Sequence, residues 1–492
     1  MLQTKFKQRT KELLQEEYDA FEKALNTQPP VSIRINTHKI TNDTALLQST
    51  NPDSSTGNSD SHKFIADINE TVPWCETGFY LPERPSFTFD PLFHAGIYYV
   101  QEASSMFLEQ IVRHSISGNK PVTALDLCAA PGGKSTLLRS LLPEGSLLVC
   151  NEVVRSRSMI LSENMTKWGL PDYIVTNNDP KDLGRMTHLF DIILADLPCS
   201  GEGMFRKDPD SRNEWSVDNV KLCASRQRRI IHDVWSALKP GGWLIYSTCT
   251  FNMEENEDNI ITLAGELGAG IVPVSLKKEW NIAGAIRRNI PAYRFFPHRT
   301  KGEGLFVALL RKDSGVTDSA KIRYKNKQAA IIPEHIKELL IEPEKFLFFA
   351  NERHVQQNVA EAKSFAGKGN NRNAPSNIYA ISKTHENIHH LLSGHLRIIS
   401  TGINLGELKG KDFIPSVSLA MSTEINRKKF HSVELSYEDS IKYLQKESVS
   451  LPKDTPLGYI LITYKNAPLG FAKNIGNRSN NLYPQEWRIR KK

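Results

Sequence analysis

The stretch LDLCAAPGGKST, residues 125–136, decides how the chain is read. It opens as the end of an apolar run (122–127) and continues into a turn where Gly132 and Gly133 let the backbone approach a ligand closely. A helical pattern starts at Ser135, so a strand runs through a glycine turn into a helix whose positive N-terminal end faces the ligand. Further strand-like runs follow at 146–152, 173–178, 190–196 and 243–248, with helical stretches at 135–142, 155–168 and 218–238. Repeated β-α units predict an α/β fold with a parallel, doubly wound sheet that binds ligands at the carboxyl ends of its strands. Runs at 271–274 and 305–310 have no comparable helix between them and are expected to form an antiparallel edge.

The strand ends carry polar groups in a useful order. Glu152 closes the second strand, where a carboxylate can accept both hydroxyls of a ribose. Asp179 closes the third, within reach of an adenine amino group. Gly133-Lys134-Ser135 also matches the end of a phosphate-binding P-loop, and 192–196 (IILAD) resembles a magnesium-binding strand. The P-loop needs a glycine at position 128, however, and Cys128 stands there. A nucleotide hydrolase is thus a competing reading, separated from the others by whether the chain binds ATP.

Asp196-Leu197-Pro198-Cys199-Ser200-Gly201 closes the fourth strand and Ser247-Thr248-Cys249-Thr250 the fifth. Cysteine is a common buried small residue, and either thiol alone fits that role. Two thiols on one rim, beside a carboxylate and a ligand loop, form a set suited to covalent catalysis, in which one hard step is split into easier ones. A thiol in such a site must be partly ionised, which an electropositive pocket favours.

This motif set resembles that of the RNA cytosine-C5 methyltransferases. The matching stretches are YYVQEASSM (98–106), LDLCAAPGGKST (125–136), LADLPCSGEGMF (194–205), YSTCTFNMEENE (246–257) and RFFPHRTKGEGLFVALL (294–310). VSIRINT (31–37) looks like the family's short N-terminal R-x-N segment. The resemblance covers about residues 90–312. It implies a Rossmann-like class I methyltransferase core that uses S-adenosylmethionine and holds it through Cys128, Ala129, Ala130, Pro131, Gly132, Gly133, Lys134, Glu152, Asp179 and Asp196. It also implies that Cys249, in the T-C-T motif, attacks the base while Cys199 assists product release. The chemistry explains the set. Carbon 5 of cytosine is too electron-poor to attack a methyl sulfonium, and a thiolate adding to carbon 6 makes carbon 5 nucleophilic. A hydrogen bond or proton at ring nitrogen 3, a task for Asp196, assists that addition. A non-catalytic RNA-binding factor that has kept the fold is a third reading, opposed by the retention of both cysteines.

The rest of the chain frames this core. At 492 residues it is long enough for two to four domains. The expected divisions are an N-terminal α+β RNA-binding domain (1–90), the catalytic domain (91–312), a connecting α/β domain (313–400) and a β-rich PUA-like module (401–492). Residues 1–28 have an apolar stripe of Phe6, Leu13, Leu14, Tyr18, Phe21 and Leu25 at helical spacing, ended by Pro29-Pro30. Stretches 49–63 and 366–377 are polar and turn-rich, as loops are. The start of the chain lacks the apolar core of a signal peptide, no stretch is apolar enough to span a membrane, and no cysteine pair has metal or disulfide-framework spacing. A cytoplasmic protein without a membrane partner is expected, taken as a monomer.

The formal charge is only +7, so placement matters more than the total. Residues 465–492 concentrate seven bases (Lys465, Lys473, Arg478, Arg488, Arg490, Lys491, Lys492) against Glu486 alone, interleaved with Phe471, Tyr483 and Trp487. That pattern suits phosphate contact with base stacking, though a solvated tail would also produce it. The stretch 468–489 resembles the end of a PUA-like RNA-binding module found in a small-subunit ribosomal RNA branch of the family. This favours ribosomal over transfer RNA as the partner, with a separable C-terminal module holding it. His385, His389, His390 and His395 cluster without cysteine or organised carboxylates, so a surface or linker role is expected and no metal.

Overall fold

The computed structural model describes residues 2–40, 70–116, 118–208, 210–286, 289–313, 332–351, 376–410 and 412–490. The polar stretch 49–63 and residues 366–375 of the second lie outside these, as do Lys491 and Lys492.

The central sheet is built as the β-α repeats require. Its strands and helices are β1 (Thr123–Asp126), α1 (Gly133–Leu141), β2 (Leu147–Asn151), α2 (Arg155–Trp168), β3 (Tyr173–Thr176), β4 (Phe190–Asp196), α3 (Val217–Val234), β5 (Leu238–Thr248), β6 (Leu305–Lys312) and β7 (Ile398–Thr401). Strands β5, β4, β1, β2 and β3 lie side by side in that order, all parallel. Their near-continuous apolar runs are buried on both faces, under one large core on each side of the sheet. The expected antiparallel edge is present: β6 pairs with β5, and Ala269–Val272 and Ala292–Phe295 both pair with β6. The Rossmann-like core is therefore the one the sequence describes.

The sheet continues past β3, which the sequence does not show. Strand β7 comes from the C-terminal third yet pairs antiparallel with β3, Thr401 opposite Ile174. The C-terminal third is thus not wholly separate. A four-stranded antiparallel sheet joins Phe346–Asn351, Ser376–Ser382, Ile403–Lys409 and Asp412–Pro415, so the expected 400/401 division runs through it. The 90/91 division likewise crosses the N-terminal sheet, where Val31–Ile35 pairs with Gly78–Leu81 on one side and Tyr98–Val100 on the other. Backbone hydrogen bonds along an edge strand depend on no particular side chain, so sequence alone does not name the partner.

The last module, with strands His431–Glu434, Gly458–Tyr464, Ala467–Asn474 and Ser479–Asn481, shares a core with the N-terminal sheet. Val433, Tyr443 and Ile462 pack there with Ile33, Leu92 and Tyr98. This burial corrects the expectation of stacking aromatics, because Phe471 and Tyr483 are core residues and Trp487 packs on Tyr483 and Lys167. Arg478, Arg488 and Arg490 remain exposed. His385 and His389 are also buried, His389 against the Phe349 ring at 4.6 Å, so the surface or linker role does not describe them. Among the described residues no three His, Cys, Asp or Glu side chains gather as metal ligands, and no helix is long and apolar enough to cross a membrane.

The N-terminal stripe forms two helices rather than one, Thr4–Leu14 and Tyr18–Leu25, because Gln15 turns left-handed (φ +50°) between them. Its apolar face packs on the catalytic domain. The Phe21 ring meets Phe251 edge-on at 5.0 Å, two residues past Cys249.

Candidate active site

Strand register sets the rim. Asp196 at the end of β4 lies opposite Ser247 near the end of β5, so the chain beyond each strand leaves from the same level. Three residues past Asp196 comes Cys199, and two past Ser247 comes Cys249. Their sulfurs are 3.1 Å apart, both half-buried. The hydrogen bond with Cys249 and then burial push the Cys199 thiol well above its usual range.

Both turns are held from below. The Gly203 amide donates to the Cys249 carbonyl at 2.7 Å, and a side chain on Gly203 would collide with that oxygen. Glu202 accepts the Phe251 and Asn252 amides at 2.6 and 2.9 Å, and Glu255 accepts the Ser200 amide at 3.0 Å. Each carboxylate from one turn thus fixes the backbone of the other. Arg294 and Glu257, both fully buried, form an ion pair beneath them, and Arg294 donates to the Phe251 carbonyl at 2.6 Å. Breaking such a pair leaves an uncompensated buried charge.

Asp196 accepts from Lys134 Nζ at 2.9 Å and from Ser247 Oγ at 2.7 Å. Burial pulls the Lys134 pKa down, but the Asp196 carboxylate outweighs it and the net shift is upward, with Cys249 adding to it. Lys134 is therefore a held cation, paired with Asp196 close to the thiols.

The residues expected to hold the cofactor lie along the neighbouring strand ends. Cys128, Ala129, Ala130, Pro131, Gly132, Gly133 and Lys134 form the β1–α1 turn, with Gly132 left-handed (φ +115°) as helix cap. Arg157 donates to the Ala130 carbonyl and Asn164 to that of Pro131, each at 2.8 Å. The sequence reading missed these two, although their spacing of seven puts them on one face of α2. Glu152 is buried beside the turn, 3.3 Å from Arg157, with Oε1 accepting the Val154 amide at 2.9 Å. Asp179 is exposed and caps the short helix Pro180–Gly184. Asp126, at the end of β1, accepts from Ser135 Oγ at 2.7 Å, while its other carboxylate oxygen is buried without a partner. Burial raises its pKa to about 7, with Asp196 adding to the shift. Arg34, of the R-x-N segment, spans the domains, donating to Gln101 at 2.8 Å and to Thr136 on α1 at 2.6 Å.

All ten expected cofactor residues thus border one rim, together with both thiols. The family described as 16S rRNA methyltransferase RsmB/F matches residues 117–311, its RsmF N-terminal domain matches 2–103, and the RsmF PUA domain matches 430–489. Ribosomal RNA small subunit methyltransferase F of Cronobacter sakazakii is 30% identical over 92% of this chain and 89% of its own length. The chain belongs to the RsmB/F family. The enzyme of the same name from Citrobacter koseri is 31% identical over 84% of each chain. A solved methyltransferase homologue from Pyrococcus horikoshii, 27% identical, covers 63% of this chain and 95% of its own, with a TM-score of 0.50. As an RsmB/F member the chain is an S-adenosylmethionine-dependent methyltransferase, so the nucleotide-hydrolase reading falls. The cradle fits that cofactor. Glu152 and Asp179 suit the nucleoside, and the unpaired Asp126 oxygen, beside a glycine turn, suits a cation.

Proposed function

We propose that this chain methylates carbon 5 of a cytosine in small-subunit ribosomal RNA, with Cys249 as the nucleophile. The observation that carries the reading is the pair of sulfurs 3.1 Å apart beside the Lys134–Asp196 pair. S-adenosylmethionine, when bound, supplies the methyl group. Cys249 as thiolate forms a bond from sulfur to carbon 6 of the base, and the electron pair displaced from the 5,6 double bond makes carbon 5 nucleophilic. Asp196 faces ring nitrogen 3, where a hydrogen bond or proton assists the addition. Once carbon 5 is methylated, a base takes its proton, the electron pair of that bond re-forms the 5,6 double bond, and the carbon–sulfur bond breaks to return Cys249 as a thiolate. Cys199 assists that release. Cys128 through Lys134, Glu152 and Asp179 hold the cofactor, and Asp196 borders it.

A ribosomal substrate is supported by the names of the relatives and by the PUA domain match. A cytoplasmic location follows from that substrate. The test is Cys249→Ala, which should abolish methylation while S-adenosylmethionine affinity stays within a few-fold. Near-normal methylation would exclude Cys249 as the attacking group. Bisulfite sequencing of ribosomal and transfer RNA from cells with and without the gene should show one cytosine lost from the small-subunit RNA. A loss in transfer RNA instead would move the substrate there.

A further inference from the structure

A cavity of about 810 Å³ opens between the N-terminal sheet and the segment after β4, where Arg206 and Lys207 line it a few residues beyond Cys199. Its charged lining is Arg84, Arg206, Lys207 and Lys301 against Glu83 and Glu303, a basic excess. Four prolines, Pro29, Pro30, Pro82 and Pro297, stiffen its walls, so the shape exists before any ligand arrives.

The four cations are not equivalent. Arg206 is committed to the fold, donating to the Gln28 carbonyl at 2.7 Å and the Gly302 carbonyl at 2.8 Å. Lys301 pairs with Glu70 and lies over the Tyr80 ring. Arg84 rests on the Phe87 ring and acts on the Glu303 carboxyl against the burial that raises it, while Lys207 pairs with Glu303 at 3.9 Å. Arg84 and Lys207 thus share one carboxylate between them, a net positive charge that an anion can meet.

The cavity and the thiols share backbone. Gly203, bonded to the Cys249 carbonyl, precedes Arg206 by three residues. On the opposite wall the Glu303 amide donates to Glu102 at 2.9 Å, and Glu102 is near enough to Lys134 to raise its pKa. A base entering the thiol site must leave its stack, at a cost of a few kcal/mol that contacts on either side of it must offset.

We propose, resting on the RNA methyltransferase reading above, that this cavity binds the phosphodiester backbone next to the target cytosine through Arg84 and Lys207. It is a subsite for one flanking nucleotide, apart from both the cofactor cradle and the C-terminal module. The volume lies in the range of about 300–1,000 Å³ usual for small-ligand sites.

The test uses the full chain and protein-free small-subunit ribosomal RNA. Arg84→Glu and Lys207→Glu are made singly and together, with Lys120→Glu, at the opposite rim of the sheet, as control. RNA affinity is measured across a salt series, with the KM for RNA and S-adenosylmethionine affinity on the same proteins. The double variant should raise the KM for RNA about tenfold or more at physiological salt. It should also lower the salt slope by about 1.4, because two single-strand phosphates are no longer neutralised. Its S-adenosylmethionine affinity should stay within twofold, and the control should match wild type throughout. An unchanged KM and slope in the double variant would overturn the subsite. So would a loss seen only on the assembled subunit, which would mean the cavity meets a ribosomal protein. Wild-type protein that binds this RNA but transfers no methyl group would contradict the activity instead, and the salt series would still decide the cavity.

Discussion

Asp126 shows how much one residue's setting matters. Its carboxyl is fully buried with one oxygen unpartnered, and burial raises its pKa to about 7. The sign follows directly. A folded-state pKa above the unfolded one means the ionised carboxylate costs stability as pH rises from near 4 towards 7, unless a cation arrives to share the site. Bound S-adenosylmethionine carries that positive charge. Its affinity should therefore rise with pH up to about 7, by at most about tenfold per unit, and then level off. Asp126→Asn should flatten the profile. Calorimetric titration between pH 5.5 and 8.5 checks this, and an equal slope in the variant would remove Asp126 from the cofactor's surroundings. Asp126 was legible as part of the strand-to-turn motif, but its missing partner was not. Only packing shows which oxygen is left over.

At the scale of elements, the parallel strands were legible because burial on both faces demands continuous apolar runs, as in IILA of β4. The thiols and carboxylates were legible because they follow those strands directly. What holds their turns was not, since Glu202, Glu255 and the Arg294–Glu257 pair act across 37 to 55 residues of chain. Arg294→Met should cost about 3–5 kcal/mol by leaving Glu257 charged and buried, and should lower the urea midpoint accordingly. A midpoint within error of wild type would mean the pair supports nothing. The N-terminal helices dock through Glu17 as well, which the Arg299 and His298 hydrogen bonds hold down at about 2 against the burial that raises it. This depressed carboxylate stabilises the docking above its unfolded value near 4.5, and that contribution is lost as pH falls towards 2. Protection of the Tyr18–Leu25 amides, taken relative to their intrinsic exchange rates, should fall in wild type as pH drops through that window, and Glu17→Gln should weaken that pH dependence.

Across the whole molecule, the charge pattern of the C-terminus was legible and its attachment was not. Its strands look self-sufficient in sequence, yet Val433, Tyr443 and Ile462 bury their side chains against Ile33, Leu92 and Tyr98 of the N-terminal region. Removing residues 401–492 should therefore lower the melting temperature of what remains, rather than leave an intact core that merely lacks an RNA contact. Charge reversal at the exposed Arg478, Arg488 and Arg490 isolates the contact without opening that core. If all three meet single-stranded phosphates, the salt slope of RNA binding should fall by about 2.1 with the melting temperature unchanged. An unaltered slope would make this surface a solvated face.

The covalent route is tested most directly by trapping it. Cys199→Ala, incubated with S-adenosylmethionine and small-subunit ribosomal RNA, should accumulate a protein–RNA adduct, because attack and methyl transfer proceed while release is slowed. A denaturing gel should show a retarded, nuclease-sensitive band for Cys199→Ala and none for Cys249→Ala or the double variant. A retarded band from Cys249→Ala would contradict the assignment and make Cys199 the nucleophile.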